Sequence, residues 1–148
     1  MKKKILIKLE NRQDFVDDQP GTDIKNEFKG ELYIKKEKYY LRYNDQSEGI
    51  DGARTILKID PKAERVLLLR EEPAEMKQTF KKAQKIKGYF KTAYGKLELA
   101  VKTRDLKIDI EDNNGIIKIE YQLFLGGELS SKHKLKLSYS IEEAKNQK

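Results

Sequence analysis

The chain contains no cysteine, which excludes a disulfide framework, a thiolate metal site and a cysteine nucleophile, and suits a reducing compartment. It also lacks a membrane-spanning run, because no segment approaches the ~20 apolar residues that a helix needs. The N-terminal stretch MKKKILIKLE has the basic start of a signal peptide. Its apolar run, Ile5-Leu6-Ile7, nevertheless ends at Lys8, and no small-residue cleavage site follows. It reads as the first strand of a cytoplasmic protein. Histidine occurs once, at His133, in a loop or strand start between Lys132 and Lys134, whose charge opposes its protonation. Ser130 and Ser131 adjoin it, but without the strained turn, base and orienting acid of a hydrolase. A structural or solvated histidine in a non-enzymatic protein is the expectation. Asp109, Glu111, Asn113 and Glu120 approach the spacing of a calcium loop, yet Asn114 stands where the loop needs glycine, and strands flank it. A tight Asn-Asn-Gly turn accounts for these residues, and neither a metal nor a cofactor is expected.

What is present is a strand pattern. At 148 residues and 37% hydrophobic content, the chain can build one core and therefore a single domain. Charged residues make up 39%, but the apolar residues recur in short regular runs, which argues against disorder. Leu97, Leu99, Val101 and Thr103 alternate with Glu98, Ala100 and Lys102. Leu106, Ile108 and Ile110 repeat the pattern, as do Ile117, Ile119, Tyr121 and Leu123, and then Leu135, Leu137, Tyr139 and Ile141. Turn signals at Tyr94-Gly95, Arg104-Asp105, Asn113-Asn114-Gly115 and Gly126-Gly127 separate them. Residues 71–85 fit a helix starting near Pro73 or a strand through Met76, Gln78 and Phe80, and residues 11–25 read as a loop or lid. The fold class is all-β: an antiparallel up-and-down meander of about ten strands, closed into a barrel because each dry face must be hidden and each edge paired. A two-layer sandwich competes with it.

The runs YIKKEKYYLRYND, ILKID with VLLLREEPAEMKQTF, YFKTAYGKLELAVKT and IIKIEYQLFLGGE resemble the YwiB-like family of bacterial proteins over nearly the whole chain. The order and spacing of Arg70, Met76, Phe80, the Tyr94-Gly95 turn, Thr103 and Tyr121 carry the resemblance. It implies a calycin-type, lipocalin-like β-barrel found mainly in Gram-positive bacteria, with no established function, and it supports a strand over residues 76–82. The chain departs from the family pattern after Arg70, where Glu71-Glu72-Pro73 replaces a small-residue turn.

Two sets of residues are candidates for binding. In phase with the apolar wall lie Arg70, Thr92, Tyr94, Thr103, Tyr121 and Tyr139. An arginine and several hydroxyls inside an apolar barrel suit the carboxylate or phosphate of a small amphiphilic or acidic ligand. The same residues also satisfy one another at a barrel mouth, or pair with an inward acid such as Glu48. The second set is basic. Net charge is +7, and between Glu75 and Glu98 seven lysines occur with no acid. Of these, Lys77, Lys81, Lys87 and Lys91 share an outer face with Tyr89, an arrangement that suits stacking on a base between phosphates. Closure of the barrel is expected to bring Lys134 and Lys136 near Lys4 and Lys8. Glu98, Asp109, Glu111 and Glu120 are expected to pair with lysines 102, 107 and 118. Against nucleic acid stand the absence of a GXXG loop or RNP motif and the excess of lysine over arginine. A plugged scaffold is the third reading.

Overall fold

A computed structural model describes residues 2–17, 20–46 and 50–142. Alternating side chains put these residues into ten strands: β1 (Lys2–Phe15), β2 (Thr22–Lys35), β3 (Lys38–Asp45), β4 (Ala53–Asp60), β5 (Arg65–Arg70), β6 (Glu75–Lys81), β7 (Lys85–Thr92), β8 (Gly95–Ile110), β9 (Asn114–Leu125) and β10 (Glu128–Ile141). Each pairs antiparallel with the next, and β1 also pairs with β10, so the sheet closes into a barrel with no free edge. The inward rows meet as one apolar core that includes Ile5, Ile7, Leu32, Leu41, Ile59 and Leu137, all essentially inaccessible to solvent. Each such side chain contributes about 1.5–3 kcal/mol by burial.

The barrel has two unlike ends. The lower end carries the β2–β3, β4–β5, β6–β7 and β8–β9 connections, and the β8–β9 turn folds across it. Asp112 accepts hydrogen bonds from Tyr39 on the far wall (3.4 Å) and, through its carbonyl, from the Lys3 ammonium (3.2 Å). Beneath the turn, the Tyr139 hydroxyl donates to the Glu111 carbonyl at 2.6 Å. Tyr139 stands opposite Gly115, where a Cβ would come within 2.6 Å of its ring. Glycine is thus needed for the close approach, and the tight turn lies one residue earlier than the Asn-Asn-Gly reading, closed by the Glu111 N–H on the Asn114 carbonyl (2.8 Å).

Several expectations are corrected. Residues 11–25 are not a loop or lid: β1 runs to Phe15 and β2 begins at Thr22. The inward side chains there are Asn11 and Gln13, so the strand lines a polar interior and shows no apolar alternation. Of the two readings of residues 71–85, the strand holds, over Glu75–Lys81, as the family resemblance implied. Arg104-Asp105 is not a turn but a β-bulge inside the 16-residue β8, where the register shifts between Thr103 and Asp105. The extra residue lets Thr103 and Leu106 both face inward despite their spacing. The charge pairs differ as well. Lys136 faces Glu10, Lys134 faces Arg12 and Lys8 faces Ser138. Lys107, Lys118 and Lys136 stand directly opposite one another in a row, while Asp109 faces Ile116 and Glu98 faces Tyr89.

Candidate ligand site in the polar half of the barrel

The inward polar residues are not scattered. Asn11, Asp45, Thr55, Arg70, Gln78, Thr103, Ser131 and His133 all come from the middle or the upper part of their strands, toward the β1–β2, β3–β4, β5–β6, β7–β8 and β9–β10 connections. The lower half is apolar. The barrel interior is therefore amphipathic along its length.

Arg70 ends β5 in phase with buried Val66. Its Nε donates to the Ala74 carbonyl at 2.7 Å, its Nη2 lies 3.5 Å from Met76 Sδ, and its guanidinium sits 5.7 Å from the Phe90 ring centroid. Burial lowers its pKa, opposed by the charges of Asp45 and Tyr43. Asp45, 5% exposed, is the inward acid; Glu48 lies outside the described residues. Burial, with Asp45 beside it, pushes the Tyr43 hydroxyl far above its usual range.

Gln78 is opposite Leu68 and so diagonal to Arg70, which faces Met76. The β6–β7 ladder runs from Glu75/Lys91 to Lys77/Tyr89. At the next position the Gln78 amide takes over, its Nε2 donating to the carbonyls of Thr79 (3.0 Å) and Ile86 (3.1 Å). A Cβ on Gly88 would overlap Gln78 Oε1 and the Lys77 carbonyl, so glycine makes room for this side-chain bridge. Below it, the β6–β7 turn pairs with β8: the Ala83 N–H donates to the Thr103 carbonyl (2.8 Å) and the Thr103 N–H to the Gln84 carbonyl (3.1 Å).

His133 lies inside β10, buried rather than solvated. Tyr121 stacks on it with parallel rings 4.6 Å apart and meets Phe80 edge-on at 5.1 Å. Its Nε2 is 2.8 Å from Ser131 Oγ and its Nδ1 is 3.4 Å from Asn11 Nδ2. The ring is thus held between Ser131 and Asn11, with donor and acceptor roles at its two nitrogens set by the tautomer. Burial pushes its pKa down to about 4, with Asp14 pulling the other way. The cause is the barrel interior rather than the outward Lys132 and Lys134. Among the described residues, three oxygen atoms in this half, Asn11 Oδ1, Gln78 Oε1 and Thr103 Oγ1, are buried without a hydrogen-bond partner.

The six sequence candidates do not share one cavity. Arg70 belongs to the upper half, and Thr103 and Tyr121 lie beside His133 across β8–β9. Tyr94, expected inside, is fully exposed. It occupies the β7–β8 turn, where strand parity no longer holds, and its N–H donates to Thr92 Oγ1 at 3.1 Å. Thr92 is thus the last residue of β7 and caps the turn. Tyr139 is at the opposite, lower end. Asn11, Asp45, Gln78 and Ser131 were missed, although the phase of Gln78 with Phe80 was available.

The outer lysines are real but interleaved with acids. Lys77, Lys87 and Lys91 are exposed, and Lys81 donates to the Ala63 carbonyl. Glu75 faces Lys91 and accepts from the Tyr89 hydroxyl at 2.9 Å. Lys96 covers the Tyr89 ring at 4.7 Å. The acid-free run in sequence is not acid-free in space.

The comparisons agree with this architecture. A family model described as "Domain of unknown function (DUF1934)" matches residues 7–137. A protein of Bacillus subtilis (strain 168), "Uncharacterized beta-barrel protein YwiB", is 27% identical over 139 residues, covering 94% of this chain and 96% of that protein. The crystal structure of the ywiB protein from Bacillus subtilis superposes with a TM-score of 0.84 at 24% identity, covering 96% of this chain and 94% of the other. With a matching model over most of its length, the chain belongs to the DUF1934 family, and it shares its barrel fold with the similar protein YwiB.

Proposed function

We propose that the protein is a non-enzymatic binding module for a small acidic ligand, taken up in the polar half of the barrel with its anionic group at Arg70. The observation that carries this reading is the gathering, among the described residues, of three unpartnered buried oxygens in the same half as a half-buried arginine. A buried polar atom without a partner costs roughly 1–3 kcal/mol, so a ligand that donates to Gln78 Oε1 or Asn11 Oδ1 recovers that cost. Arg70 supplies the opposite need: among the described residues its Nε meets a carbonyl and its Nη2 a thioether, with Asp45 as a nearby charge, and a guanidinium has further N–H groups for a carboxylate or phosphate. The apolar half argues against a long acyl tail. Its innermost side chains, Ile5, Leu32, Leu41 and Ile59, are inaccessible to solvent, and the Tyr121–Phe80 contact stands between the two halves. The amphiphile is therefore short.

Native mass spectrometry of protein purified at low salt tests the reading. A discrete added mass of a few hundred daltons, released on denaturation and lost in Arg70→Ala, is expected. A bare mass for the wild-type protein, or an adduct indifferent to Arg70→Ala, overturns the site. Tyr94→Phe serves as the control and leaves capture unchanged.

A further inference from the structure

We propose that the outer wall of β2–β5 binds single-stranded nucleic acid, with bases stacked at Tyr33 and Tyr40 and phosphates held by the surrounding cations. Tyr33 and Tyr40 stand directly opposite each other on β2 and β3. Both point outward, because their neighbours Leu32 and Leu41 are the buried pair. Adjacent outward rings on a sheet form a platform that any base can use, since every base has a π face. The rows extend the platform: Lys58 faces Tyr40, and Ile56 faces Arg42. Tyr33, Tyr40, Arg42 and Ile56 line a cleft of about 470 Å³ whose surface is mainly apolar, large enough to receive a nucleobase.

Charge selects the occupant. The Arg42 guanidinium lies 5.2 Å from the Tyr33 ring centroid and the Lys58 ammonium 5.7 Å from that of Tyr40. The two acids nearest the rings are each held between two cations, while Asp23 and Glu27 lie farther up the outer face of β2, Asp23 paired with Arg12. Glu31 lies 2.7 Å from Arg42 and 3.4 Å from Lys2; Asp60 lies 3.7 Å from Arg65 and 4.0 Å from Lys38. With Lys35 and Lys58 added, the wall carries a clear positive excess around its two rings. A polyanion with flat apolar side groups matches both properties at once. Arg42 adds what the lysine face lacks, a planar cation that stacks on a base as well as meeting a phosphate. On β7 there is a single ring, Tyr89, with Glu98 rather than a second ring opposite it.

The test uses the full chain and fluorescein-labelled dT12 and rU12, read by fluorescence anisotropy at 50 and 200 mM salt. Saturable binding that weakens with salt is expected, with Tyr33→Leu and Tyr40→Leu each weakening it about tenfold. Tyr33→Phe, which keeps the ring, is expected to retain it, and Lys87→Ala/Lys91→Ala to change it less than twofold. The two oligonucleotides distinguish DNA from RNA as the source of the shared chemistry. Thermal unfolding of each variant confirms that it folds, and the conservative phenylalanine variant separates ring from packing. Loss on Lys87→Ala/Lys91→Ala with the tyrosine variants unaffected overturns the proposal. So does absence of binding, and so does a concentration-dependent dimer in light scattering that buries this wall and excludes the oligonucleotide.

Discussion

Acidification from pH 7.5 to 4 perturbs one group whose environment is defined from every side, the imidazole of His133. In the folded protein the ring is buried against Tyr121, between Ser131 and Asn11, and its pKa is about 4. In the unfolded chain it returns to the ordinary histidine value of about 6.5. Above pH 6.5 the ring is neutral in both states and contributes no pH dependence. Between 6.5 and about 4 the unfolded chain takes up a proton that the folded one refuses, so the stability present at neutral pH is lost as pH falls. One pKa unit corresponds to about 1.4 kcal/mol, which makes the loss roughly 3 kcal/mol by pH 4. Urea unfolding of the wild-type protein and of His133→Gln across this window isolates the effect, because the carboxylates that also titrate are common to both. The wild type is expected to lose roughly 3 kcal/mol more than the variant. Parallel pH profiles, or an imidazole that titrates near 6.5 in the folded protein by NMR, would refute the argument that burial governs this ring.

Gly88→Ala is expected to destabilise the fold by about 1–3 kcal/mol, measured by urea unfolding. The added methyl meets a backbone carbonyl as well as the Gln78 amide, so Gly88→Ala/Gln78→Ala is expected to regain little; an unchanged midpoint in the single variant would contradict the side-chain bridge. Ultraviolet titration of the tyrosines is expected to leave Tyr43, Tyr121 and Tyr139 un-ionised after the exposed ones have titrated, because burial raises all three. Their contribution to stability is complete below the ordinary tyrosine pKa of about 10 and is lost above it, as the unfolded chain ionises first. Smooth titration of every tyrosine near the ordinary value, with the fold intact, would refute it.

How much of this was legible in the chain depends on how far each signal propagates. Strict alternation survives from one end of β9 to the other, so the strands, their number and the meander follow from the pattern. Strand parity then fails at the two kinds of place where the pleat is interrupted. At Arg104 a bulge inserts a residue, and a reading that takes the phase break for a turn cuts β8 in two. At Tyr94 the chain has left β7, and carrying the phase of Phe90 two residues too far puts an exposed ring inside the barrel. Register across closure is harder still. That Lys136 meets Glu10 rather than Lys4 or Lys8 is set by the whole circumference of the sheet, and no local pattern encodes it.

The polar half of the barrel was hidden for a related reason. A strand that lines an apolar interior announces itself, whereas Asn11, Gln13 and Arg12 look like loop composition until their partners on β2 and β10 are known. Of these, Asn11 and Gln13 make the interior polar, while Arg12 faces outward to Asp14 and Asp23. Function and legibility are opposed here by chemistry: an interior able to receive a polar ligand must carry side chains that need partners, and side chains that need partners are those that alternation cannot distinguish from surface. Gln78 shows the way out. It sits between Met76 and Phe80 in an apolar phase, and one polar residue in such a phase, facing a glycine on the neighbouring strand, marks a place where the wall is held by a side chain instead of its backbone.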